Sequence, residues 1–137
     1  MENYLTVFRN EAGRQLVFEA YDKVINSIGI KYQDIYLQTR LGETHIIATG
    51  NESNPPLLLI HAYYASAASW HKNLKQLSEH YKVYCIDIIG DPNKSRPVKL
   101  IRKLDDFIDW FEDLMEGLKL ENAFFIGNFI FTPFLVV

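Results

Sequence analysis

Apolar positions along this chain alternate between two patterns, stretches at helical spacing and short continuous runs. In residues 13–28, Leu16, Ala20, Tyr21, Val24, Ile25 and Ile28 share one helical face, and Gly29 suits the C-terminal cap. Residues 34–39 (DIYLQT) and 44–49 (THIIAT) are β-prone runs around Leu41-Gly42-Glu43, which predicts a hairpin. Residues 51–56 (NESNPP) have the composition of a loop. Leu57, Leu58, Leu59 and Ile60 follow without alternation, the pattern of a strand covered on both faces. A small-residue loop spans 61–69, and Trp70, Leu74, Leu77 and Tyr81 then mark a helical face. Residues 82–86 (KVYCI) read as a second buried strand, and 87–97 (DIIGDPNKSRP) as a turn-rich loop. Leu104, Phe107, Ile108, Phe111, Leu114, Met115 and Leu118 form a strong helical stripe. Residues 123–127 (AFFIG) read as a third buried strand. The order hairpin, β, α, β, α, β predicts an α/β fold: an N-terminal hairpin plus a mostly parallel sheet with flanking helices and right-handed crossovers.

Composition narrows the function classes. The chain has 137 residues, enough for one domain or part of one, and 48% of them are hydrophobic, which excludes a disordered chain. Net charge is −3 with the charges interspersed, so no basic stripe offers itself to nucleic acid. Cys85 lies inside an apolar run and reads as a small core residue. The first residues carry no signal-peptide pattern. The C-terminal apolar run is roughly 15 residues, broken by Asn128 and Pro133, where a spanning helix needs about 20. The expectation is a cytoplasmic protein with no membrane partner. His45, His71 and His80 have no metal-ligand spacing and read as ordinary surface or hairpin residues. Gly90 stands alone in its loop, without the pattern of a phosphate-binding loop. No metal or cofactor is expected.

Several ordered signals between residues 42 and 127 carry a resemblance. They are Gly42-Glu43-Thr44-His45 in the hairpin, Pro55-Pro56 and the apolar run ending in His61, and Ser69-Trp70 opening the next helix. Asp87-Ile88-Ile89-Gly90-Asp91, Lys94-Ser95-Arg96-Pro97 and Phe125-Ile126-Gly127-Asn128 complete the set. This stretch resembles the α/β-hydrolase superfamily, more narrowly its bacterial carboxylesterase-like members, and covers about two-thirds of the chain. The resemblance implies hydrolysis of a small-molecule carboxylic ester through a serine nucleophile. It implies that the loop after the His61 strand supplies an oxyanion-hole amide, with His61 at the family's histidine, Ala62 in place of its glycine, and the Tyr63 backbone N–H as donor. His61 itself is expected to make a structural hydrogen bond rather than act as a base, since the family's base comes last in chain order. Asp87 is expected to shape its loop, and Asn93 to occupy a left-handed position where the family often has glycine. If the position of Ala62 needs positive φ or close backbone approach, its Cβ costs energy there.

The resemblance fails at one point. An α/β-hydrolase places G-x-S-x-G directly after the strand ending at Gly127. Here Phe129 stands at the serine position and Phe131 at the second glycine. Pro133 opposes the helix that should follow. The expected domain is therefore residues 1–137 as a single partial α/β-hydrolase domain, truncated or frameshifted after about residue 128, without nucleophile, acid or base, and inactive. One inserted T before a TCA-TTT serine–phenylalanine pair gives TTC-ATT, the Phe-Ile seen at 129 and 130. A deliberately cut chain or a divergent tail are the alternatives. A non-catalytic module that pairs through an open sheet edge, and a gene fragment without function, are the competing readings of role. An unpaired outer edge at residues 123–126 leads one to expect self-association.

Overall fold

A computed structural model of the chain describes residues 3–128. In order, the elements are α1 (Glu11–Ser27), β1 (Tyr32–Thr39), β2 (Gly42–Thr49), β3 (Pro56–Ile60), a 3₁₀ turn (Ala67–Trp70) leading into α2 (His71–Ser78), β4 (Lys82–Ile86), β5 (Arg96–Pro97), α3 (Leu104–Gly117) and β6 (Phe124–Gly127). The Asn10 side chain caps α1 by accepting from Gly13 N at 2.7 Å. The Asp106 carboxylate, in the first turn of α3, accepts from the amides of Arg102 and Lys103.

One sheet runs in the order β1-β2-β4-β3-β6, with β5 added beside β2. The β1–β2 hairpin is antiparallel, β2 joins β4 antiparallel, and β4, β3 and β6 run parallel. Both the predicted hairpin and the predicted parallel strands are present, and the sheet as a whole is mixed.

The unalternating runs have a direct cause. Leu57 and Leu59, with Ile47, Val83 and Cys85, pack against Tyr21 and Ile25 of α1 and Leu74 of α2. Leu58 and Ile60, with Ile46, Ala48, Tyr84 and Ile86, pack against Phe107, Trp110 and Leu114 of α3. Successive side chains point to opposite faces, and helices cover both, so every position must be apolar. Each fully buried leucine or isoleucine contributes about 1.5–3 kcal/mol.

Three details depart from the sequence pattern. Leu16 of α1 is 67% exposed and Ile108 of α3 is 42% exposed, while Trp110 lies at the centre of the α3 contact. Helical spacing marks a stripe, but the sheet contacts only the C-terminal half of α1, through Tyr21 and Ile25. β6 is not buried: Phe124 is 59% exposed, because β6 is the last strand of the described sheet and pairs with β3 alone. β5 lies inside the stretch read as loop. Its pairing with β2 depends on Gly42, whose φ is 129° and where a Cβ would stand 2.3 Å from the Arg96 carbonyl oxygen.

Candidate active site

The C-terminal ends of parallel strands are where an open α/β sheet gathers its functional groups. Here the chain leaving β3 meets the chain leaving β4, and Asn128, just past β6, donates from its amide to Ile60 O at 3.0 Å. That bond sets the end of β6 beside the start of the His61 loop.

His61 is fully buried. Its Nε2 accepts from Ile88 N at 2.8 Å, so the ring proton is on Nδ1, which donates to Ala62 O at 2.7 Å. Burial lowers its basicity below that of an ordinary histidine, and the ring is neutral. His61 thus stitches the loop after β3 to the loop after β4, the structural bond expected of it.

Ala62 begins a tight turn closed by Ala65 N donating to Ala62 O at 3.1 Å. Between them Tyr64 has φ 62°, while Tyr63 does not have positive φ, the type II pattern. The left-handed residue is therefore Tyr64, not Ala62. A bulky residue in that region is strained by about 1–3 kcal/mol. Tyr64 N donates to Asp91 Oδ2 at 3.2 Å. Among the described residues the Tyr63 amide has no acceptor within the protein. Tyr63 and Tyr64 pack edge to face at 4.5 Å and border a cleft of about 180 Å³. Ile88, Ile89, Asp91 and Leu100 line its other sides.

Asp91 is the cleft's one carboxyl and is nearly buried. Burial pushes its pKa up to about 6, with the Asp87 charge adding and the Tyr64 amide opposing. Asn93 does not take the left-handed conformation expected of it; Gly90 does, at φ 95°. The asparagine serves through its side chain instead, donating to Ile88 O and accepting from Ser95 N.

Behind this loop lies a polar cluster the sequence reading missed. Asp87 is fully buried and accepts from Ala67 N at 2.7 Å, His45 Nδ1 at 2.7 Å, Tyr21 Oη at 3.0 Å and Lys94 N at 3.3 Å. His45 is also fully buried, with Asp34 Oδ1 2.7 Å from its Nε2. Each ring nitrogen of His45 thus faces a carboxylate oxygen. His45 is therefore neither a surface nor an ordinary hairpin residue, because Tyr21 of α1 closes over its face of the hairpin. Burial and the Asp87 charge push the Tyr21 hydroxyl far above the normal phenol range, so it stays a donor. A signal existed in the hairpin register. Tyr36 pairs with His45, and Asp34 lies diagonally across on the same face.

Cys85 is buried, and burial raises its thiol pKa well above the usual value, which removes it as a nucleophile. Among the described residues no group of three His, Cys, Asp or Glu is arranged to hold a metal ion. No described helix is long and apolar enough to cross a membrane. Phe129, at the predicted nucleophile position, lies outside the described residues.

Residues 55–128 match the model of the alpha/beta hydrolase fold family. The chain belongs to the α/β-hydrolase family. Its relatives include the carboxylesterase YbfK of Bacillus subtilis, 38% identical over 110 residues, which are 80% of this chain and 37% of that one. The uncharacterized carboxylesterase nap of the same organism is 34% identical over the same shares. Among solved α/β-hydrolase structures, carboxylesterase CesB (YbfK) superposes with a TM-score of 0.83 at 35% identity, covering 90% of this chain and 43% of that chain. Naproxen esterase (carboxylesterase NP) of Bacillus subtilis gives 0.78 at 32% identity, over 90% and 42%. The chain thus spans well under half the length of the α/β-hydrolases it matches.

Proposed function

We propose that this chain carries the oxyanion-loop part of a carboxylic ester hydrolase, with the Tyr63 backbone N–H as donor, and does not itself turn over esters. One observation carries the reading: among the described residues the Tyr63 amide has no acceptor, and Tyr63 borders a largely apolar cleft beside the C-terminal ends of β3 and β6. In the reaction, a serine Oγ adds to the ester carbonyl while a base takes its proton. Negative charge gathers on the carbonyl oxygen, and the tetrahedral adduct expels the alcohol, which takes up a proton. Water then releases the acyl group as a carboxylic acid. An amide aimed at the developing charge is worth about 10²–10³ in rate. The carboxylesterase relatives support a small ester as the substrate class, and the apolar lining of Ile88, Ile89 and Leu100 suits an apolar group on it. The lack of turnover rests on Phe129. None of the seven glycines is followed two positions later by a serine, so G-x-S-x-G is absent from the 137 residues.

The test joins residues 1–128 to the remaining part of YbfK carboxylesterase and follows nitrophenyl ester hydrolysis. The 137-residue chain is expected to be inactive and unlabelled by a fluorophosphonate. The chimaera is expected to be active, and Tyr63→Pro, which deletes the amide proton, to lower its kcat by about 10²–10³. A Tyr63→Pro chimaera with undiminished kcat refutes the oxyanion assignment. Stoichiometric labelling of Ser53, Ser66, Ser69 or Ser95 in the 137-residue chain refutes its inactivity.

A further inference from the structure

Tyr63 borders the cleft from within a tight turn of unusual shape. Tyr64 stands at φ 62°, a region that a tyrosine leaves readily unless something holds it. The turn's own bond, Ala65 N to Ala62 O, spans Tyr64 without touching its amide. What touches that amide is Asp91 Oδ2, from the loop after β4, at 3.2 Å. Asp91 is itself fixed. Its amide donates to Ile88 O, and its carbonyl accepts from Asn93 N at 2.8 Å.

We infer that Asp91 is a positioning residue of the oxyanion loop, its carboxylate holding the Tyr64 amide and through it the turn that carries the Tyr63 N–H beside the cleft. The inference rests on the oxyanion reading given above. Asp91 does not touch the reacting carbonyl, so its effect runs through Tyr64. The hold is also proton-sensitive. An ionised carboxylate accepts from an amide more strongly than a neutral acid does, and the Asp91 pKa lies at about 6. The loop is therefore held firmly above that pH and loosely below it.

The groups around Asp91 give this sensitivity a single source. His61 Nδ1 lies 3.9 Å away at the end of β3, but the ring is neutral, with both nitrogens engaged by backbone. Asp87, after β4, adds a like charge behind the loop. Tyr63 and Tyr64 contribute phenols, and burial raises that of Tyr63. Leu100 and Ile101 close the far wall with apolar side chains.

Amide NMR of the 137-residue chain between pH 4.5 and 8 tests the inference, with dimethyl phosphate, a tetrahedral monoanion throughout this range, as the probe. The Tyr64 amide proton is expected to move upfield as pH falls, with a midpoint near 6. Asp91→Asn, which retains an acceptor but cannot ionise, should abolish that titration while His61 remains. The Tyr63 amide should respond to dimethyl phosphate at pH 8 and several-fold less at pH 5, a difference lost in Asp91→Asn. A Tyr64 amide that does not titrate, or that titrates equally in Asp91→Asn, overturns the inference whatever the probe does. If Asp91→Asn fails to fold, the wild-type titration still decides, since a flat profile overturns the hold. A Tyr64 amide that follows Asp91, with a Tyr63 amide indifferent to dimethyl phosphate at every pH, upholds the hold and overturns the oxyanion reading.

Discussion

Asp91 illustrates how a single buried carboxyl shapes both stability and the site. Its pKa rises from 3.8 to about 6 on folding because burial penalises the charge. The folded state then binds the proton more tightly than the unfolded chain. Stability from this residue is full below about pH 4 and is lost as pH rises through about 6, by up to about 3 kcal/mol. Asp91→Asn should match the wild type at pH 4 and exceed it at pH 8, measured by urea unfolding at both. Equal wild-type and variant stability at pH 8 would contradict this account. Ala62 shows the opposite case. Since its φ is not positive, Ala62→Gly relieves no strain and should lose about 0.4–1 kcal/mol through the entropy of the unfolded chain. A gain in thermal midpoint would place the strain at 62 after all.

The elements are tied together by groups that belong to none of the apolar stripes. Asp87 receives Tyr21 from α1, His45 from β2, and the Ala67 amide at the start of the 3₁₀ turn. Ser95 Oγ adds a further link, donating to Asp87 O while accepting from His45 N. On the other face of the sheet, Trp110 Nε1 of α3 donates to Thr44 Oγ1 of β2 at 2.8 Å. Asp87→Ala would leave a buried phenol, imidazole and amide without their acceptor, and removing one partner of a buried charged network costs about 3–5 kcal/mol. Equilibrium unfolding should register a loss of that size, larger than for Thr44→Val, which removes one neutral hydrogen bond worth about 0.5–1.5 kcal/mol. A loss under about 1 kcal/mol for Asp87→Ala would mean that the cluster contributes no net stability.

Over the whole molecule, stability is concentrated where the sheet is covered twice. β2, β3 and β4 lie between α1 and α2 on one face and α3 on the other, whereas β1 forms one margin and has alternating exposed positions. Local opening follows burial and contact density. Native-state hydrogen exchange should therefore be slowest at Leu58, Leu59, Val83 and Cys85, faster in β1, and fastest in β6. Exchange in β6 as slow as in β3 would show that its outer side is covered. Leu58→Ala, at the centre of the α3-facing core, should cost about 2–5 kcal/mol in a thermal or urea melt.

The sequence by itself determined the order of the helices and of every strand but β5, the three parallel strands and the family. Continuous runs such as residues 57–60 exist only where both faces of a strand are covered, and helical stripes such as that from Phe107 to Leu114 exist only where one face is. His61 as a structural residue was also legible, because its place after a buried strand and early in the chain limited its role. Tertiary structure alone decided the rest. Periodicity says that a position is buried but not what lies opposite it, so His45 gave no sign that Asp87, 42 residues later, would meet it. The same holds for Tyr64, whose left-handed turn is stabilised by a carboxylate 27 residues away. It holds for β6 as well, where an apolar run marks a strand but its exposure depends on which neighbours flank it. Polar contacts across a fold are set by the register of distant segments, and no local pattern encodes that register.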